Sequence, residues 1–148
     1  MIKKFFKLNP IHKRIVKYLD IIFLLRPTLF FAIWVMISIG MYCLEIQVNI
    51  DPVWLINFSW NTFLVFIGVT MTCSSTFILN QIADIDGDKI NKKLFLVGKY
   101  FSINTSLMIS NILGILGIFI SLLIDWKICI MNILIYYIWG ILYNKKPY

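Results

Sequence analysis

Four long stretches without any acidic or basic residue most constrain how this chain of 148 residues can fold. The uncharged stretches are 27–44, 52–83, 100–124 and 128–144. A helix of roughly 20 apolar residues crosses the hydrocarbon core of a bilayer, and inside that core only helices and closed barrels satisfy the backbone. The alternating polarity of a membrane barrel is absent. We therefore expect an all-α fold, a multi-pass transmembrane helix bundle with about four spans.

The spans are expected at about 22–44, 54–83, 101–124 and 128–144 of a single membrane domain, 1–148. Composition agrees with this expectation, because 60% of the residues are hydrophobic and 14% are charged. Soluble domains average about 45–50% apolar and about 25% charged residues. The lipid bilayer is therefore the expected environment of most of the chain.

The placement of the basic residues predicts the topology of the chain. They cluster before the first span, between the second and third, and after the fourth: Lys3, Lys4, Lys7, Lys13, Arg14, Lys17, Lys89, Lys92, Lys93, Lys99, Lys145 and Lys146. Because cytoplasmic loops carry the excess of lysine and arginine, both termini and an Asp-rich loop at 84–99 are predicted to be cytoplasmic. Residues 1–20 fit a basic interfacial segment. Topology thus accounts for the net charge of +7 without a nucleic-acid partner.

Small and polar residues mark the second and third spans as unusual. The later half of span two holds Thr70, Thr72, Cys73, Ser74, Ser75, Thr76, Asn80 and Gln81. Such residues favour close packing between helices, and they also suit a helix that lines a cavity; both interpretations stay open. In span three, the small residues at 106, 110, 114 and 117 share one face, which predicts an interior helix.

The end of span two carries the residues with the clearest chemistry. If its helix continues to Asp88, then Asn80, Gln81, Asp84 and Asp88 fall within an arc of roughly 100°, because each residue turns by about 100°. Asp86 then points the opposite way. Mg²⁺ prefers oxygen ligands and is typically held by one or two carboxylates together with substrate phosphates. The spacing therefore predicts a shared site for Mg²⁺ and a diphosphate.

Three other interpretations of this stretch are an EF-hand, a zinc site and a purely structural role of the aspartates. An EF-hand would need glycine where Lys89 stands and glutamate where Phe95 stands, and a zinc site is excluded with His12 as the single histidine. The plainest alternative is that the aspartates cap and solvate a helix end. Asn80 and Gln81 weigh against it, because polar groups at the membrane end of a helix are costly and often functional.

The stretch Asn80-Gln81-x-x-Asp84-x-x-x-Asp88-Lys89-x-Asn91-Lys92 resembles the first Asp-rich motif of the UbiA family of intramembrane prenyltransferases. Its glutamine form is similar to that of homogentisate prenyltransferases. Three weaker landmarks of the family occur in the same order: Arg26-Pro27-Thr28, Gly98-x-x-x-Ser102, and Leu142-Tyr143 before Pro147.

The resemblance implies a helical bundle whose cavity binds a polyprenyl diphosphate and passes the prenyl chain to an aromatic or other lipophilic acceptor. It implies that Mg²⁺ is held by Asn80, Asp84 and Asp88. It implies that the substrate is bound by Arg26, Gln81, Lys89 and Lys92.

The sequence also departs from this family. Gln81 stands where many members have aspartate, the prolines often found after Lys92 are missing, and the second Asp-rich motif of the later half does not occur. We therefore expect the chain to correspond to the amino-terminal half of such an enzyme, with a missing carboxy-terminal half as its partner. The alternative is a non-catalytic four-span membrane protein that serves as a binding or assembly subunit.

Overall fold

A computed structural model describes residues 18–48, 59–91, 96–98 and 100–145 of the chain. In these residues the predicted all-α class is confirmed, and the one β-type pairing among them is an isolated bridge between Val97 and Phe101. The helices are α1 (18–24), a 3₁₀ turn (Pro27–Leu29), α2 (Phe30–Val48), α3 (Trp60–Ala83), α4 (Ile85–Ile90), α5 (Ile103–Ile124) and α6 (Trp126–Ile135), which continues as a π-helix (Tyr136–Leu142).

Three stretches of helix in the described residues are long and apolar enough to cross a membrane. They are Pro27–Leu44, Trp60–Ala83 and Ile103–Ile124. The helical stretch Trp126–Leu142, which takes the place of the expected fourth span, is also apolar but shorter. The multi-pass character expected from the sequence thus agrees with the length and composition of these helices.

The starts of the first two long helices are set by local sequence. The first span was expected at about 22–44, and within it the helix is interrupted between α1 and α2, where Arg26 has a left-handed backbone with φ 54°. The cause is Pro27, which disfavours the right-handed helical conformation of the residue before it. The second span begins at Trp60, because the Ser59 hydroxyl caps the helix by accepting the Thr62 N–H at 3.2 Å. Residues 1–17 and 49–58 lie outside the described residues.

Helices α3 and α5 form the tightest contact in the fold, and small residues make it possible. The Ser75 hydroxyl donates to the Ser110 carbonyl oxygen at 2.7 Å, and the Ser110 hydroxyl donates to the Ser75 carbonyl oxygen at 3.0 Å. A side chain at Gly117 would meet the Gly68 carbonyl oxygen at 2.6 Å. The face of small residues in span three packs inward, since Ser106, Ser110, Gly114 and Gly117 are all buried. The span as a whole is less interior than predicted, because only 22% of it is buried.

Helix α6 completes a three-helix core with α3 and α5. The Asn132 side-chain amide donates to the Ser121 hydroxyl, and the Tyr136 hydroxyl donates to the Asn111 side-chain oxygen at 3.1 Å. Gly140, in the π-helix, lets this part of α6 approach Thr76 of α3. Helix α2 lies outside this core, because none of its membrane-spanning stretch is buried.

Candidate functional site

A cavity of about 770 Å³ lies between α2, α3 and the π-helical part of α6. Its wall is formed by Ala32, Ile33, Met36, Ile37, Val69, Cys73, Thr76, Phe77, Asn80, Ile135, Trp139 and Tyr143. The α3 residues among them recur every three or four positions, so one face of that helix lines the cavity along several turns. Both interpretations of the polar half of span two therefore hold in part. Thr72 and Ser75 pack against α5, whereas Cys73, Thr76 and Asn80 face the cavity.

Asn80 is the most polar residue of the cavity wall and the last residue of α3 that lines the cavity. The end of α3 with the residues that follow it, Asn80 to Asp88, is here called the Asp-rich end. Its side chain is half-buried, and among the described residues its amide makes no hydrogen bond. The geometry therefore leaves the Asn80 oxygen available to a ligand that enters the cavity.

The helix bearing the predicted metal ligands is interrupted, not continuous to Asp88 as the sequence analysis assumed. Helix α3 ends at Ala83, and Asp84, with φ −90° and ψ 4°, joins it to α4. Aspartate favours such sites because its side chain competes with the helical backbone. Helical hydrogen bonds nevertheless run through the junction, from Asp84 N–H to Asn80 O at 2.9 Å and from Asp88 N–H to Asp84 O at 2.8 Å. Asn80, Asp84 and Asp88 thus follow one another at intervals of one helical turn.

The two predicted carboxylate ligands have different surroundings. Asp84 is exposed, whereas Asp88 is 9% exposed. Asp88 lies one turn from Ile85 on α4, and Ile85 packs in the buried apolar cluster of the Asp-rich end with Val97. Next to Ile85 the chain turns at Gly98, whose φ of +85° favours glycine. Asp84 is therefore the carboxylate that faces outward beside Asn80.

Gln81 has a structural partner. Its side chain is 8% exposed, and its amide nitrogen donates to the Leu24 carbonyl oxygen at 2.8 Å and, at 3.4 Å, to the Phe77 carbonyl oxygen. This contact holds the end of α1 against α3. The family resemblance implies a substrate-binding role for Gln81, whereas its amide nitrogen is already engaged in hydrogen bonds within the fold.

The predicted phosphate-binding residues lie around the same end of the bundle. Arg26 is half-buried and follows Leu24, the partner of Gln81, by two residues. Lys89 is exposed on α4. Lys92 lies outside the described residues. The placement of Arg26 and Lys89 puts cationic side chains on both segments that flank the Asp-rich end of α3.

The donor set suits a hard cation that is shared with a ligand. Within the described ranges, no three side chains of histidine, cysteine, aspartate or glutamate gather into a metal-binding group. The predicted set is smaller, with one amide oxygen and two carboxylates. Mg²⁺ keeps several waters and commonly takes one or two protein carboxylates together with phosphate oxygens. Asn80 and Asp84 fit that requirement through their oxygen atoms and their accessibility.

Sequence reasoning missed the contribution of the last helix to the cavity. Trp139 and Tyr143, four residues apart, both line it. The Asn144 side-chain amide secures this end by donating to the carbonyl oxygens of Trp139 and Gly140, at 3.0 and 2.9 Å. The spacing of the two aromatic residues was a usable signal, but which neighbour they would face depended on how the helices pack.

Comparison with known proteins identifies no relative: no protein-family model, no curated protein and no solved structure matches the chain.

Proposed function

We propose that this chain is a UbiA-type intramembrane prenyltransferase by descent and provides the amino-terminal half of a Mg²⁺-dependent active site. The observation that supports this proposal best is the position of Asn80. It stands at one end of a largely apolar cavity, one helical turn before the exposed carboxylate of Asp84. A polyprenyl diphosphate has the matching form, with a long apolar chain and an anionic head.

In the proposed complex, the apolar wall of the cavity receives the prenyl chain and excludes water. Asn80 and Asp84 hold the Mg²⁺–diphosphate head, and Arg26 and Lys89 bind phosphate oxygens through charge-assisted hydrogen bonds. Bound Mg²⁺ would supply electrostatic stabilisation of the departing diphosphate. The bond between the allylic carbon and the diphosphate oxygen breaks, and that carbon joins the lipophilic acceptor, which loses a proton.

The proposal includes the finer features of the expected architecture. The shorter helix Trp126–Leu142 serves as the fourth span, and the Asp-rich end faces the cytoplasm, in line with the distribution of basic residues. The second set of carboxylates in the active site is contributed by residues outside 1–148, on a carboxy-terminal half of the bundle. The site formed by one half binds the diphosphate head but lacks the ligands for rapid transfer.

Binding of a non-hydrolysable polyprenyl diphosphate analogue to the solubilised chain tests this proposal. We expect saturable binding that requires Mg²⁺ and that weakens at least tenfold in Asp84→Asn and in Asn80→Ala. Asp125→Asn is the matched control, because Asp125 caps the start of α6, away from the cavity. Restored prenyl transfer on addition of a carboxy-terminal half would extend the result to catalysis. Equal binding by the wild type, Asp84→Asn and Asn80→Ala would refute the site.

A non-catalytic binding or assembly subunit remains the second candidate function. It is favoured by the absence of a group of three metal-binding side chains among the described residues. It is also favoured by the structural use of the Gln81 amide nitrogen. The same titration separates the two functions, because a subunit of this kind folds normally and binds the diphosphate analogue with no dependence on Mg²⁺.

A further inference from the structure

Helix α2 is the most weakly held of the three long helices. None of its membrane-spanning stretch is buried, against 39% of Trp60–Ala83 and 22% of Ile103–Ile124. Besides the 770 Å³ cavity, a second cavity of about 440 Å³ separates α2 from α3. The second cavity is lined by Trp34, Phe63, Phe66, Ile67, Thr70 and Met71. Helix α2 therefore contacts α3 only sparsely, with a cavity on either side of the contact.

One hydrogen bond joins the side chains of the two helices. The Trp34 indole nitrogen donates to the Thr70 hydroxyl at 2.8 Å. Among the described residues it is the one side-chain hydrogen bond between α2 and α3. The Trp34 ring also lies near Phe66, with ring centroids 6.5 Å apart. Because packing elsewhere along α2 is sparse, this hydrogen bond contributes a large part of the free energy that holds α2 against α3.

The chain before α2 has the form of a hinge. Helix α1 ends at residue 24, Arg26 adopts the left-handed conformation, and a 3₁₀ turn at Pro27–Leu29 leads into α2. Below this joint, Gln81 fixes the Leu24 carbonyl to α3. Hinges are commonly a few residues at the ends of elements that absorb a change in backbone angles. A fixed point, a non-helical joint and a loosely packed helix thus follow one another in the chain.

We propose that α2 is a hinged side wall of the larger cavity, held closed by the Trp34–Thr70 hydrogen bond, and that it swings about residues 25–29 to admit the apolar chain of a membrane lipid from the bilayer. The movement exposes Cys73, which faces the cavity behind α2. Swinging requires only loss of sparse contacts and one hydrogen bond. The proposal concerns entry into the cavity and needs no metal, so it can fail while the proposed function stands, and the reverse.

The rate at which a membrane-soluble maleimide labels Cys73 measures this opening. The chain carries Cys43→Ser and Cys129→Ala, so that Cys73 is the remaining thiol. Thr70→Val removes the acceptor with little change of shape, and Trp34→Phe removes the donor. We expect each variant to raise the labelling rate by about threefold, the effect of losing one interhelical hydrogen bond in a membrane. The double variant should add nothing to either single change.

Trp126→Phe is the control, because this exposed tryptophan at the start of α6 lines neither cavity. A second measurement uses electron paramagnetic resonance between spin labels at the exposed positions Ile39 of α2 and Leu116 of α5. Thr70→Val should widen that distance distribution. Unchanged labelling and an unchanged distribution in both variants would overturn the hinged wall. A faster rate in Trp34→Phe alone would overturn the role of the hydrogen bond.

Discussion

The side-chain amide nitrogen of Gln81 lies 2.8 Å from the backbone carbonyl oxygen of Leu24 and donates a hydrogen bond to it. Both residues are buried, and 57 positions separate them in the sequence. The bond attaches the end of α1 to α3 beside Asn80, two residues before Arg26 with its left-handed backbone. The distance between Arg26 and the oxygen ligands Asn80 and Asp84 in the proposed site therefore depends on the hydrogen bond from Gln81 to Leu24.

Replacing Gln81 tests this attachment. Gln81→Leu and Gln81→Glu both remove the donor, and glutamate does so with almost no change of shape. We expect each to lower the free energy of unfolding by about 1–3 kcal/mol, because the buried Leu24 carbonyl loses its partner. Reversible unfolding in mixed micelles gives the values. Asn104→Ala, at an exposed amide, is the control and should change little. Wild-type stability in Gln81→Glu would contradict the role assigned to this bond.

Gly117 permits the close contact of α3 and α5. A β-carbon there would meet the Gly68 carbonyl oxygen at 2.6 Å and the Thr72 backbone nitrogen at 2.8 Å. Gly117→Ala should therefore destabilise the fold by about 1–3 kcal/mol through overpacking. Gly40→Ala is the matched control, since nothing lies within 4 Å of its added carbon. Thermal unfolding of the two variants, measured side by side, tests this prediction. Equal stability of the two variants would show that α3 and α5 can move apart to accommodate the added carbon without loss of stability.

The hydroxyls of Ser75 and Ser110 act as a reciprocal pair, and we expect their effects to be coupled. Ser75→Ala and Ser110→Ala should each cost about 0.6 kcal/mol, with roughly 1.7 kcal/mol as an upper value for such bonds in membranes. The double variant should cost less than the sum of the single ones, as expected for residues in contact. Ser74→Ala provides the comparison, because its hydroxyl bonds within its own helix to the Thr70 carbonyl oxygen at 2.7 Å. Additive effects would argue against the pairing.

Asn132 is 1% exposed, and its side-chain oxygen has no hydrogen-bond partner in the described part of the chain. We predict that Asn132→Leu changes stability by less than about 1 kcal/mol. It removes the unpaired oxygen, while Ser121 keeps its bond to the Gly117 carbonyl oxygen at 2.9 Å. Asn132→Asp should cost about 3 kcal/mol, because it places a charge at membrane depth. Unfolding in detergent compares the two variants, and a large loss in the leucine variant would indicate an unseen partner of that oxygen.

The location of the membrane helices and of the tight interface was readable from the sequence. Uncharged stretches fixed where helices could lie in lipid, and the small residues of span three, Ser106, Ser110, Gly114 and Gly117, identified the face that α3 contacts. Both signals are local, since they depend on composition and on a period of 3.6 residues. The interruption at Arg26 was partly readable, because Pro27 acts on the residue before it.

The candidate site was readable only as a set of residues at one end of a helix. Their spacing gave Asn80, Asp84 and Asp88 successive turns, and the backbone hydrogen bonds of the structure preserve that succession. The sequence could not assign Gln81 to Leu24, because that contact joins residues far apart in the chain. Whether Asp84 or Asp88 faces outward likewise depended on which side of α4 packs against the turn at Gly98.

The sequence by itself determined that this chain forms apolar helices, where they lie, and which residue types gather at the end of α3, because hydropathy and helical periodicity act over neighbouring residues. Tertiary packing alone decided that Trp139 and Tyr143 share a cavity with Asn80 and that α2 stands apart between two cavities. The exposed faces of all these helices are alike apolar. Which faces meet is therefore set by small residues and a few interhelical hydrogen bonds, and not by hydrophobicity.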